Sequence, residues 1–149
     1  LGRGARWLAS TDADSEVPPE WLAAQVQGSC DAFCGLVDIA TTCQGERRLR
    51  RAFQARQQWG DHHGRIHGAN LGVSASSYRA VGGFAPLHCS EDVALVRALQ
   101  RCGAVVRWAG APVVMTSARL QGRATGGFSA YLAALGGERS GAEASALIT

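Results

Sequence analysis

With 149 residues, 46% of them hydrophobic and 18% charged, the chain has the size and composition of one folded domain, which excludes the disordered and fibrous classes. Its formal net charge is only +3, and all fifteen basic residues are Arg. That small surplus, dense only at Arg47-Arg48-Leu49-Arg50-Arg51, argues against a nucleic-acid binder and reads as the solvated face of a helix.

Arg6–Ser10 reads as a short buried strand, followed by a loop over Thr11–Glu16. Pro18 and Pro19 suit the first turn of a helix running to about Gln27. Ala32–Thr42, apolar with β-branched residues, predicts a strand, and Gly45–Trp59 a polar, Arg-rich helix. Gly68–Ser74 predicts a compact strand and Ser76–Val81 a short helix ended by Gly82-Gly83. Ser90 is placed to cap a helix through Cys102, on which Leu95, Leu99 and Cys102 form one buried stripe. Ala104–Trp108 and Pro112–Thr116 read as two further strands and Gly127–Leu135 as a last helix. Residues 136–149 read as a flexible tail. Strands alternate with helices, so the class is α/β, with four or five strands.

Five Cys with no Cys-x-x-Cys pair argue against a zinc ribbon or a redox motif. No apolar run is long enough to cross a bilayer, and no signal peptide is recognisable. The expected location is a reducing cytoplasm, or the inner face of a membrane as a peripheral protein.

Several patterns could carry chemistry. Asp12-Ala13-Asp14 places two carboxylates in a loop after a strand, where open α/β sheets bind ligands and where a hard divalent cation finds oxygen donors. The plainer reading is that Asp14 or Ser15 caps the next helix. Glu91 and Asp92 complement a helix dipole, but one of them facing a cleft could act as a general base. Gly68-Ala69-Asn70-Leu71-Gly72 and Gly82-Gly83-Phe84 allow close approach of a ligand or another backbone. Arg119 and Arg123, in a Gly-rich loop, could clamp a diphosphate or be merely solvated. His62, His63, His67 and His88 have no standard metal spacing.

Taken in order, Thr11-Asp-Ala-Asp-Ser15 before Pro-Pro-Glu-Trp-Leu, Gly68-Ala-Asn-Leu-Gly72, Tyr78-Arg-Ala-Val-Gly-Gly-Phe84 and Glu91-Asp92-Val-Ala-Leu95 resemble the family 2 glycosyltransferases of the GT-A fold. The resemblance covers about Arg6 to Leu132. It implies a partial GT-A mixed sheet flanked by helices over residues 1–135. The implied activity is inverting transfer of a sugar from a nucleotide-diphosphate sugar to a hydroxyl acceptor, itself a sugar, a lipid or a small molecule. Asp14 would hold Mg²⁺ or Mn²⁺, with Asp12 near the ribose or the metal. Asp92 would be the base, with Glu91 beside it. Gly83, Phe84 and Asn70 would lie on the acceptor side, and Arg119 and Arg123 by the diphosphate. Val113–Ser117 supplies no further metal-binding His. The absence of Gln-x-x-Arg-Trp argues against a polymerising synthase. The chain starts at Leu1, close before the strand that leads to Asp12, so the nucleotide-binding half of the family's sheet is expected to be missing. The expectation is a truncated form with little or no activity alone, its strand Arg6–Ser10 left with an unpaired edge. The rivals are a non-catalytic module that pairs through that edge, a nucleotidyltransferase lacking its basic phosphate loop, and a nucleic-acid binder.

Overall fold

The computed structural model describes residue 4, residues 6–120 and residues 128–142, the last six of these as backbone alone. Two compact units emerge, one from Leu1–Asp38 with Gln58–Thr116, the other from Ile39–Gln57 with Ser117–Thr149.

The first unit is built on a four-stranded sheet in the order β1-β3-β2-β4, with β1 at Trp7–Ser10, β2 at Ala32–Ile39, β3 at Leu71–Ser74 and β4 at Val106–Thr116. β3 is antiparallel to both β1 and β2, so β1 and β2 run the same way. The class is α/β with a mixed sheet and flanking helices, as the alternation of elements predicts. β2 is buried along its whole length, as a central strand covered on both faces must be. Helix α4, Glu91–Arg101, lays Leu95, Val96 and Leu99 on Ala32 and Cys34 of β2 and on Leu71 and Val73 of β3. Helix α1, Trp21–Val26, buries Trp21 and Gln25. Gln25 Oε1 accepts the indole N–H of Trp7 at 3.0 Å. Gly72 makes that pair possible: a Cβ there would lie 2.7 Å from Trp7 Nε1 and on top of Gln25 Oε1. Arg107 closes the far end of α1, donating to the Ala24 and Gln27 carbonyls at 3.2 and 3.0 Å.

Several boundaries differ from the sequence reading. The two strands expected over Ala104–Trp108 and Pro112–Thr116 are one strand, β4, which begins only at Val106 and runs through a cis Ala111–Pro112 bond. β4 is the last strand of the sheet, where a residue without an N–H is tolerated. Loop residues cover part of it: His62 N–H donates to the Trp108 carbonyl, and Gly110 N–H to Asp61 Oδ1. Pro18 and Pro19 precede α1 rather than opening it; Trp21 N–H closes a turn on the Pro18 carbonyl. Gly68–Asn70 is a 3-10 turn, so β3 starts only at Leu71. Ser74 caps α3, Ala75–Ala80, by accepting the Ser77 N–H. Ser90 stands before α4 in a left-handed conformation, φ 61°, and its side chain makes no cap.

In the second unit, α2 spans Gln44–Arg56 and α5 spans Phe128–Ala142. Phe53 of α2 is buried, edge-on to Phe128 and Tyr131 of α5 at 5.6 and 6.3 Å between ring centres. α5 continues past the predicted end at Leu135, so the expected tail at 136 begins as helix; residues 143–149 lie outside the described residues. Among the described residues no helix is long and apolar enough to cross a membrane.

Candidate functional site

The Asp-x-Asp segment is not a helix cap. The residue before α1 is Glu20, with no side-chain cap bond, and the helix has no acid in its first turn. Instead Ser15 N–H bonds the Asp12 carbonyl at 3.1 Å, folding Asp12-Ala13-Asp14-Ser15 into a turn whose first three residues are exposed. The chain is then strapped to the far edge of the sheet. Ser15 Oγ donates to Thr116 Oγ1 at 3.0 Å. Glu16 and Met115 exchange backbone hydrogen bonds at 2.8 and 3.0 Å. A segment that leaves β1 at one edge therefore docks on the end of β4 at the other. It crosses the sheet at the carboxyl end of β1, where ligands bind in open α/β sheets.

The same end carries the start of β3 and of α4. Asp92 Oδ2 accepts the Gly68 N–H at 2.8 Å, tying α4 to the 3-10 turn, and Oδ1 accepts the Val93 N–H at 2.8 Å. Each oxygen keeps a second lone pair for a hydroxyl. Glu91 beside it is exposed. Cys34 packs below: burial first, then the Asp92 charge and then Cys30, push its thiol up to about 12, so it is inert.

Asn70 has a different job from the acceptor contact expected of it. It is fully buried, accepts the Trp21 indole N–H at 2.9 Å, and donates to the Leu36 and Pro112 carbonyls at 2.8 and 2.9 Å. Gly35 leaves room for it, since any Cβ at that position would collide with the Asn70 amide. Gly82 and Gly83 both have positive φ, and a Cβ on Gly83 would sit 2.8 Å from the Tyr78 ring. Phe84 is 39% exposed, edge-on to Tyr78, with its N–H on the Tyr78 hydroxyl at 3.2 Å. Arg119 is exposed and belongs to the second unit. Arg123 lies outside the described residues.

Two His reinforce this end from inside. Arg65 N–H donates to His63 Nδ1 at 2.9 Å, so the ring proton sits on Nε2 and faces the Cys34 carbonyl at 3.2 Å. Burial holds His63 below its ordinary value. His67, just before the 3-10 turn, is pushed down to about 4 by burial and then by His63 and Arg65. Neither is placed as a metal ligand: among the described residues no group of three or more His, Cys, Asp or Glu could hold a metal ion. Asp12 and Asp14 on their exposed turn fit a hard cation only where a bound diphosphate and water complete the shell.

The strap of Ser15 and Glu16 is a site feature that residue patterns missed; Ser15 is too ordinary a loop residue to announce a partner 101 positions away. Comparison with models of protein families, with curated proteins and with solved structures gives no match.

Proposed function

We propose that the chain carries the cation and acceptor side of an inverting, family 2-like GT-A glycosyltransferase. The observation that supports this reading best is the convergence of the Asp12–Asp14 turn and the Asp92 carboxylate on one end of the sheet. A divalent cation, when bound, would offset charge on the leaving diphosphate. Asp14, with Asp12 beside it, would hold that cation together with the diphosphate. Asp92, fixed by Gly68 and Val93, would accept the proton of the attacking hydroxyl. Phe84 would offer an apolar wall to the acceptor. Asn70 keeps the floor of the site rigid and is not assigned a contact with substrate.

Equilibrium dialysis of UDP and of GDP, with and without Mn²⁺, tests the reading. Binding is expected to require Mn²⁺ and to weaken at least ~10-fold in Asp14→Asn, a loss of about 1.4 kcal/mol. Binding indifferent to both the metal and Asp14 would sink the proposal. A second reading is favoured by one fact: β1 ends the sheet and pairs only with β3 among the described strands. A partner chain could add a strand there. Saturable, metal-independent protein binding without nucleotide binding would select it.

A further inference from the structure

The second unit carries a feature that the glycosyltransferase reading does not use. An open cleft of about 470 Å³ is lined by Thr41, Arg47, Arg50, Arg51 and Gln54. Small-ligand sites have volumes of about 300–1,000 Å³. The four α2 residues stand at i, i+3, i+4 and i+7, so they share one face of the helix. Phe53, outside that stripe, is buried against α5 and fixes the rotation of α2, which keeps the guanidinium groups on the cleft. Every lining side chain can donate a hydrogen bond, and none is a carboxylate. Arg47 and Arg51 make no side-chain hydrogen bond or ion pair with a described residue, whereas Arg50 and Gln54 each already have an interaction of their own. The nearest acid along the helix, Glu46, takes the N–H of Thr42 and of Cys43 and the Thr42 hydroxyl.

The two guanidinium groups left for a ligand, Arg47 and Arg51, call for one that carries about two negative charges. Guanidinium forks pair bidentately with the oxygens of phosphate, and a phosphomonoester brings the second negative charge that a single carboxylate lacks. The volume suits one such group and its immediate neighbours rather than the length of a nucleic-acid backbone. We infer that the α2 cleft is a binding site for a phosphomonoester or diphosphate group, either free or on a lipid headgroup. The inference stands apart from the Asp12–Asp14 reading, since it needs no cation and uses other residues.

The test uses the full chain in metal-free buffer, so that the Asp12–Asp14 turn contributes nothing. Inorganic pyrophosphate is titrated calorimetrically, and co-sedimentation is measured with phosphatidylcholine vesicles with and without phosphatidic acid. Saturable pyrophosphate binding is expected, weakened at least ~10-fold in Arg47→Gln and in Arg51→Gln. Arg48→Gln removes the same charge one residue away but does not line the cleft, and is expected to change affinity less than ~3-fold. These are surface positions of a helix, and unchanged circular dichroism of each variant confirms the fold. Sedimentation with phosphatidic acid that pyrophosphate displaces would identify a lipid source; pyrophosphate binding without sedimentation would identify a free one. No saturable binding of either probe, or an Arg48→Gln loss equal to that of Arg47→Gln, overturns the site.

Discussion

The two ends of the sheet use carboxylates in opposite ways. Before β2, Asp31 is consumed by the fold: Oδ1 takes the Ser77 hydroxyl at 2.8 Å, Oδ2 takes the Val105 N–H at 2.9 Å, and its carbonyl takes the Ser74 N–H at 2.7 Å. The Val105 N–H, and then Ser77, hold Asp31 below the ordinary carboxylate value. At the carboxyl end of β1, Asp12 and Asp14 stand on an exposed turn, while the rigidity beneath comes from a neutral amide, Asn70. A carboxylate that joins strands is surrounded by donors from those strands. The Asp12–Asp14 turn is closed through its backbone, by the Ser15 N–H on the Asp12 carbonyl, and both residues are exposed.

The sharpest way to break this contrast is to remove the amide. Asn70→Ala strands the Trp21 indole N–H and two strand carbonyls in the core, and is expected to cost about 3–5 kcal/mol in urea unfolding. A cost below about 1 kcal/mol would mean that the site's floor does not rest on Asn70.

Acid titration separates the two ends next. His67 is depressed in the fold, so it favours the neutral form, and the unfolded chain takes up the proton first. Its contribution is present above the unfolded value of 6.5, falls as pH drops from there towards about 4, and is level below that. The loss over that window is expected to reach up to roughly 3 kcal/mol, and to shrink in His67→Gln. Asp31 is also depressed, but as a carboxylate its contribution is present above the unfolded value of 3.8. It is lost only as pH falls below that, through its folded value. Unfolding measured against pH should therefore have two limbs, and only the lower one should flatten in Asp31→Asn.

The smallest stability effect belongs to the site itself. Asp31→Ala is expected to cost about 1–3 kcal/mol, whereas Asp12→Asn and Asp14→Asn should stay within about 0.5 kcal/mol of the parent by thermal melting. A large loss in Asp14→Asn would move that residue into the structural class and weaken its assignment to a cation.

Much of the architecture was legible in the residues. Periodicity placed Leu95 and Leu99 in the buried stripe of α4, but Cys102, expected with them, is exposed just past the helix, and Gly103, at φ 77°, marks the end as a terminal glycine should. Ala104–Trp108 and Pro112–Thr116 read as two strands where the fold has one edge strand, Val106–Thr116. Gly72 invited a reading of close approach by a ligand or another backbone, yet its missing Cβ makes room for the Trp7 and Gln25 side chains. Asn70 was misread for a related reason: sequence gives a polar residue among glycines, but only the fold supplies the Trp21, Leu36 and Pro112 partners that bury it. The Arg spacing on α2 was visible in the chain; the cleft beside it was not.

The strap also has a kinetic consequence. Ser15 and Thr116 are 101 residues apart, and the loop-closure entropy of such a contact is repaid only after β4 is in place. In a chain leaving the ribosome the Asp-x-Asp segment emerges well before Met115 and Thr116, the residues that fasten it. Nascent or partly folded molecules will have helices and paired strands before they have this turn, so the power to hold a ligand there should appear later in refolding than the far-ultraviolet signal.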